Sequence, residues 1–282
     1  MGHMKLYGPF FVLIASLLIA LNLSAPASAS SHKSSDDLLE LSSMRLLHGW
    51  MRDDGWYMAA IQIDMTPGWK TYWRQPGAGG IAPTFDWSQS RNLAQVGYFW
   101  PSPSVFDAYG TRTIGYDGQL VLPILLKPKN PALAINARLT MDYGVCDDIC
   151  VPVSATDSRR FVEGLVSNRD AIGRSVALRP KSGRAAGLSS ATCQLHRKGD
   201  NFVLSARLDF NRSVAGFQAV VVETGSDTLW ASDADHRATD QSLHIEADLR
   251  HYGDGAMTLD RNHLRFTLIG PGGTIDVQGC SG

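Results

Sequence analysis

The stretch that decides the fold is residues 133–152, LAINARLTMDYGVCDDICVP. Its first part, residues 133–143, has an apolar side chain at every second position, and most of the positions between are polar. Successive side chains of a β-strand point to opposite faces, so this alternation predicts a strand with one buried and one solvated face. Cys146 and Cys150 follow the alternation, separated by three residues. The sequence therefore predicts a rigid strand that ends in a pair of thiols.

Two cysteines this close together form either a structural disulfide or a redox centre. In an exported protein, nearby cysteines more commonly form a structural disulfide. A loop this short removes little chain entropy, about 2 kcal/mol, so the bond would stabilise the fold inefficiently. Gly144 and Pro152 flank the pair and predict special backbone conformations, which suit an exposed, shaped loop. These residues leave both interpretations open.

Four separated segments carry a resemblance to a known family. Residues 143–152 resemble the cysteine motif of the periplasmic N-terminal domain of DsbD-type thiol:disulfide interchange proteins, in the variant of the related ScsB proteins. Residues 68–77 (GWKTYWRQPG) resemble another signature of that family, as do residues 83–87 (PTFDW) and 100–123. The resemblance runs from about residue 44 to residue 153. This chain differs from the best-known members in having three rather than five residues between the cysteines.

The resemblance implies roles for particular residues. It implies that Cys150 forms the mixed disulfide with a partner and that Cys146 resolves it, a choice that the residues alone do not make. It also implies a loop within residues 100–118 that caps the pair, with Phe106 and Tyr109 as candidates for the capping ring. A plain loop with one buried aromatic side chain is the alternative. The partners implied are thioredoxin-like periplasmic proteins and a membrane thiol electron carrier.

The N-terminal residues predict export. Lys5 supplies a positive charge, residues 10–23 are mostly apolar, and Ala27-Ser28-Ala29 is typical of a cleavage site, so residues 1–29 are predicted to be a signal peptide cut after about Ala29. The apolar run is short for a membrane anchor of about 20 residues. No later stretch approaches about 18 uninterrupted apolar residues, so we expect a periplasmic mature chain that does not span the membrane.

The remaining residues predict two domains. We expect a redox domain over residues 30–165, a linker with a short helix over residues 166–185, and a second domain over residues 186–282. Apolar residues alternate in residues 202–210, 243–249 and 264–268, which is typical of an antiparallel sandwich. The predicted fold is all-β, with two immunoglobulin-like antiparallel β-sandwich domains. Cys193 and Cys280 are predicted to form a structural disulfide worth about 4–5 kcal/mol, with two unpaired thiols as the alternative.

The acidity of the first thiol pair also follows from its neighbours. Asp147 and Asp148 lie between the cysteines, and nearby negative charge disfavours a thiolate. No histidine or lysine lies within several residues along the chain to oppose that charge. The sequence predicts a weakly acidic pair that reacts quickly only with a partner that brings its own activated thiolate.

Other function classes find less support. The chain has 26 basic and 27 acidic residues and hence no electrostatic signature of nucleic-acid binding. It contains neither G-x-S-x-G nor H-E-x-x-H, the motifs of common hydrolases. Zinc would require ligands beyond two thiolates, and the eight histidines do not cluster near Cys146. Cu(I) can be bound by two thiolates, which leaves a copper-binding or copper-tolerance protein as an alternative.

We therefore interpret the chain as a thiol–disulfide oxidoreductase of the protein-disulfide reductase type. Cys146 and Cys150 are its predicted catalytic residues, and no metal or cofactor is predicted. Besides the copper alternative, the chain could be a non-redox protein-binding module in which both disulfides are structural.

Overall fold

The computed structural model describes residues 1–2, 41–108, 111–199, 201–253 and 257–282. The described residues from Leu41 onward belong to one compact unit. Residues 3–29 of the predicted signal peptide and the capping candidate Tyr109 lie outside the described residues. In the described part of the chain, no helix is long and apolar enough to cross a membrane.

The first part of the described chain, residues 42–161, forms a sandwich of two antiparallel sheets. The strands are β1 (Ser42–Met51), β2 (Tyr57–Met65), β3 (Lys70–Tyr72), β4 (Thr84–Asp86), β5 (Leu93–Tyr98), β6 (Ser104–Ala108), β7 (Thr111–Asp117), β8 (Gln119–Pro128), β9 (Ile135–Cys146) and β10 (Cys150–Phe161). One sheet has the order β1-β2-β8-β5, and the other has the order β10-β9-β3-β7-β6, with β4 paired to β9. Large side chains from both sheets fill the space between them, among them Tyr57, Trp73, Tyr143 and Phe161.

The strand predicted from the alternation is β9. It begins at Ile135 rather than at residue 133, because Leu133 lies in a turn in which its N–H donates to the Asn130 carbonyl, and its side chain is 61% exposed. From Ile135 the alternate residues are buried, as the pattern predicts, and the strand continues to Cys146. All twelve residues of β9 pair with β10, from Ile135 opposite Phe161 to Cys146 opposite Cys150.

A helix covers the outer face of the first sheet. The helix α1 (Arg169–Ala177) lies within the segment predicted to contain one, and its Ile172 packs against Leu47, Met58 and Ala60 of β1 and β2. The apolar residues on this face of β2 are therefore buried inside the protein. Because α1 also packs against β8, this part of the predicted linker is fixed to the first sandwich.

The second part of the described chain also forms two sheets. Its strands are β11 (Lys181–Ser182), β12 (Leu188–Lys198), β13 (Asn201–Phe210), β14 (Ala219–Glu223), β15 (Leu229–Ala231), β16 (Asp235–Ala238), β17 (Ser242–His251), β18 (Arg265–Gly270) and β19 (Gly273–Gln278). One sheet has the order β11-β19-β18-β14, and the other has the order β12-β13-β17-β15, with β16 paired to β17. The all-β fold class is confirmed. The division into two domains at the predicted boundaries stays a prediction.

The ends of this second sandwich are tied together. Cys193 in β12 and Cys280 after β19 form a disulfide across 87 residues, and Cys193 is buried. The segment predicted as the end of the linker contributes β11, in which Lys181 pairs in parallel with Ile275. That disulfide's structural role stays a prediction.

We expect Ile172→Ala to lower the free energy of unfolding by about 2–5 kcal/mol, because it leaves a cavity where a fully buried side chain stood. Urea denaturation measures the change. Leu178→Ala is the matched control, since Leu178 follows the same helix and its side chain is 62% exposed; we expect a change within about 0.5 kcal/mol. Equal losses in the two variants would contradict the packing of α1 on the sheet.

Candidate active site

The cysteine pair closes the hairpin between β9 and β10. Cys146 ends β9, Cys150 begins β10, and the two are directly opposite in the ladder and joined by a disulfide. Residues 147–149 form the bend between the strands, in which the Asp147 N–H donates to the Ile149 carbonyl at 3.1 Å. The long, fully paired hairpin thus fixes where the disulfide lies.

The two cysteines differ in exposure. Cys146 is 5% exposed, whereas Cys150 and the three residues of the bend are exposed. Cys150 is therefore the more accessible of the two cysteines to a thiolate on another protein. This asymmetry suits one cysteine that exchanges with a partner and one that leaves and returns within the molecule.

A tyrosine hydroxyl contacts both sulfurs. The Tyr72 hydroxyl lies 2.7 Å from Cys146 Sγ and 3.2 Å from Cys150 Sγ. Neither sulfur of a disulfide carries a proton, so the hydroxyl is the donor. Tyr72 is buried, and burial raises the pKa of its hydroxyl. The group therefore stays protonated at neutral pH and is available as a hydrogen-bond donor to a thiolate.

The site has room for the Tyr72 ring because two neighbouring positions lack a side chain. A Cβ at Gly144 would lie 3.1 Å from the ring and 2.8 Å from the Ile81 side chain, and a Cβ at Gly80 would lie 2.7 Å from the ring. Gly144 does not have a positive φ, so the special backbone conformation expected for it is wrong. Its role is to let the ring approach the strand.

Strand β3 brings Tyr72 to the cysteines. Lys70 and Thr71 pair with Cys146 and Val145 of β9, and the Thr71 hydroxyl donates to the Gly144 carbonyl at 2.9 Å. On its other side β3 pairs with β7. The signature segment 68–77 therefore lies next to the cysteine motif in the sheet, although the Tyr72 and Cys146 positions are 74 residues apart.

Sequence reasoning missed Tyr72 and Lys70 as residues of the site. It placed no lysine close to the cysteines along the chain, but the sheet places Lys70 directly opposite Cys146. Both residues lie within the signature segment 68–77, which is the one signal that could have found them. Their proximity to the sulfurs depends on the pairing of β3 with β9, which local patterns do not reveal.

The capping candidate Phe106 is next to this group of residues. It is partly buried on β6, and the Lys70 ammonium lies 5.4 Å from the centroid of its ring, within the range of a cation–π contact. Phe106 thus neighbours the residue that faces Cys146. The capping role of Phe106 stays a prediction.

The arrangement offers no site for a metal beyond the two sulfurs in the part of the chain that the structure describes. No group of three or more His, Cys, Asp or Glu side chains there could hold a metal ion. The described site consists of a disulfide with a buried hydroxyl beside the sulfur of Cys146, an arrangement suited to thiol–disulfide exchange.

Comparisons with known proteins agree with this class of site. Residues 47–161 match the family model described as "Thiol:disulfide interchange protein DsbD, N-terminal". The crystal structure of the N-terminal periplasmic domain of ScsB from Proteus mirabilis is similar to the chain, with a TM-score of 0.63 and 24% sequence identity, covering 86% of this chain and 94% of that one. A search of curated proteins found no match. The predicted resemblance to DsbD-type domains and the immunoglobulin-like fold are confirmed.

We expect Tyr72→Phe to raise the apparent pKa of the reduced cysteine pair by about one unit. A hydrogen bond to a charged group is worth about 1.5–3 kcal/mol, and one pKa unit corresponds to about 1.4 kcal/mol, so loss of the donor disfavours the thiolate. Thiolate absorbance in the ultraviolet, followed against pH, measures the shift.

The matched control is Tyr143→Phe, which removes a buried hydroxyl that bonds to Ser42 Oγ at 2.9 Å rather than to a sulfur. We expect this variant to leave the apparent pKa of the pair unchanged. An unchanged or lowered pKa in Tyr72→Phe would show that its hydroxyl does not stabilise a thiolate.

Proposed function

We propose that the chain is a periplasmic thiol:disulfide interchange protein that passes reducing equivalents through Cys146 and Cys150. The observation that carries this proposal is a disulfide between an exposed cysteine, Cys150, and a buried one, Cys146, with the Tyr72 hydroxyl in contact with both sulfurs. A membrane thiol electron carrier reduces the pair, and the pair reduces oxidised thioredoxin-like periplasmic proteins.

Reduction of the pair begins at the exposed sulfur. A carrier thiolate attacks Cys150 Sγ and forms a mixed disulfide, while the bond between the two sulfurs breaks and its electron pair goes to Cys146 Sγ. The Tyr72 hydroxyl donates to the thiolate that develops there. A second carrier thiolate then attacks the carrier sulfur of the mixed disulfide, so the carrier becomes a disulfide and Cys150 leaves as a thiolate.

Transfer to the partner runs the same chemistry in reverse. The Cys150 thiolate attacks the partner's disulfide, forming a mixed disulfide and releasing one partner thiolate. The Cys146 thiolate then attacks Cys150 Sγ, which restores the disulfide and releases the second partner thiolate. The partner gains two electrons and takes two protons from solvent, and the pair is oxidised again.

Periplasmic location is part of the proposal. It is supported by the signal-peptide pattern in residues 1–29 and by the similar ScsB domain, which is periplasmic. Stable disulfides are expected in such an oxidising compartment, which is consistent with the second disulfide, between Cys193 and Cys280.

The two cysteines can be told apart by trapping. We expect reduced Cys146→Ala to accumulate a mixed disulfide with an oxidised thioredoxin-like protein when the freed partner thiolate is blocked by alkylation, because Cys150 can attack but no Cys146 thiolate remains to resolve the product. We expect Cys150→Ala to form none, because the remaining sulfur is buried. Non-reducing electrophoresis with mass mapping identifies the linked residues, and circular dichroism checks that each variant is folded.

A double variant, Cys193→Ala with Cys280→Ala, serves as the control and should retain exchange as long as it folds. If Cys150→Ala kept full exchange, or if Cys146→Ala formed no mixed disulfide, the proposed roles would be wrong.

A further inference from the structure

The two sandwiches meet close to the tyrosine that contacts the sulfurs. Arg74, two residues after Tyr72, makes two hydrogen bonds of 2.8 Å each to the carboxylate of Glu223, at the end of β14 in the second sandwich. Only 21% of the Arg74 side chain and 15% of the Glu223 side chain are exposed. The Arg74 guanidinium also lies 4.0 Å from the ring centroid of the buried Trp73. Paired, partly buried contacts of this kind hold both side chains in one geometry.

Glu223 is itself held in place by the second sandwich. It pairs across the sheet with Arg265 of β18, and the Arg265 guanidinium lies 3.0 Å from the carboxylate of Asp276 on β19. Burial raises the pKa of Asp276, and the positive charges of Arg265 and Arg74 oppose that effect. Two ion pairs, Arg74 with Glu223 and Arg265 with Asp276, thus lie on neighbouring strands of the second sandwich, and the first of them reaches the segment that follows β3.

The segment that begins at Arg74 returns to the tyrosine ring. A backbone hydrogen bond holds the middle of residues 74–81 on β7: the Ile114 N–H donates to the Pro76 carbonyl at 2.9 Å. Gly77 lies against β7, since a Cβ there would be 2.7 Å from the Arg112 carbonyl oxygen. The segment ends at Gly80 and Ile81, which lie against the Tyr72 ring and Gly144 respectively. The Arg74 side chain at one end of this segment is therefore bound by Glu223, and Gly80 at the other end lies against the Tyr72 ring.

We propose that Glu223 is a positioning residue for the redox site. Through Arg74 it holds the segment 74–81, and that segment sets the position of the Tyr72 hydroxyl on the two sulfurs. In this way a residue of the second sandwich affects the chemistry of the cysteine pair in the first. The inference rests on the proposed redox role of the cysteine pair, but its test reads the acidity of the thiols and requires no partner protein.

The test is a double-mutant cycle on the reduced protein. We expect Glu223→Gln to raise the apparent pKa of the pair and to lower its thiolate fraction at neutral pH by about threefold, a part of the roughly tenfold loss that removal of the hydroxyl gives. Its reaction with hydroxyethyl disulfide should slow as well, by a smaller factor, because a thiolate of higher pKa is the stronger nucleophile. In a Tyr72→Phe background the same substitution should have no further effect, because the group it positions is gone.

Asp54→Asn is the control, because it breaks the exposed ion pair with Arg52 in the turn between β1 and β2. It should leave both the pKa and the rate unchanged. Arg74→Lys keeps the charge but loses the paired hydrogen bonds, and it should reproduce the effect of Glu223→Gln if that variant fails to fold.

Two results would overturn the inference. One is an unchanged pKa and rate in Glu223→Gln and in Arg74→Lys. The other is an equal effect of Glu223→Gln with and without the Tyr72 hydroxyl. If the cycle behaves as expected while no thioredoxin-like protein exchanges with the pair, the positioning role stands and the proposed relay is wrong.

Discussion

The in-register pairing of β9 with β10 is the constraint on which the site depends. It places Cys146 opposite Cys150 and, in the same ladder, directs Tyr143 and Val145 into the core. A slip by one residue would turn these buried side chains toward solvent and move the cysteines out of register, so the core enforces the geometry of the disulfide. The disulfide between Cys146 and Cys150 is thus attached to the most extensively paired hairpin of the first sandwich.

We expect two opposing influences of different strength to act on the acidity of the thiols in the reduced pair. The carboxylates of Asp147 and Asp148 disfavour a thiolate, but they lie in an exposed bend where solvent and salt weaken their effect. The Tyr72 hydroxyl contacts the Cys146 sulfur directly in a buried site, where a hydrogen bond to a charge is strong, so we expect it to favour a thiolate in the reduced pair. We therefore expect the thiols of the reduced pair to be more acidic than the residues next to them in sequence predict.

The sequence predicts the features that depend on local patterns. Alternation identifies β9 and the main strands of the second sandwich, and the family motif identifies the cysteines. The contacts of Tyr72 with Cys146 and of Arg74 with Glu223 join residues 74 and 149 positions apart, so they follow only from sheet pairing and from the packing of the two sandwiches. The role of Gly144 was misjudged for the same reason, because its close neighbours, Tyr72 and Ile81, are distant in sequence.

The most direct test of the account is the reduction potential of each disulfide, obtained by thiol trapping and mass mapping across a graded redox buffer. We predict that Cys146–Cys150 titrates within the range of known exchange proteins, about −120 to −270 mV, while Cys193–Cys280 stays oxidised to below about −300 mV. If both pairs resisted reduction together, the first disulfide would be structural and the interchange function would be contradicted.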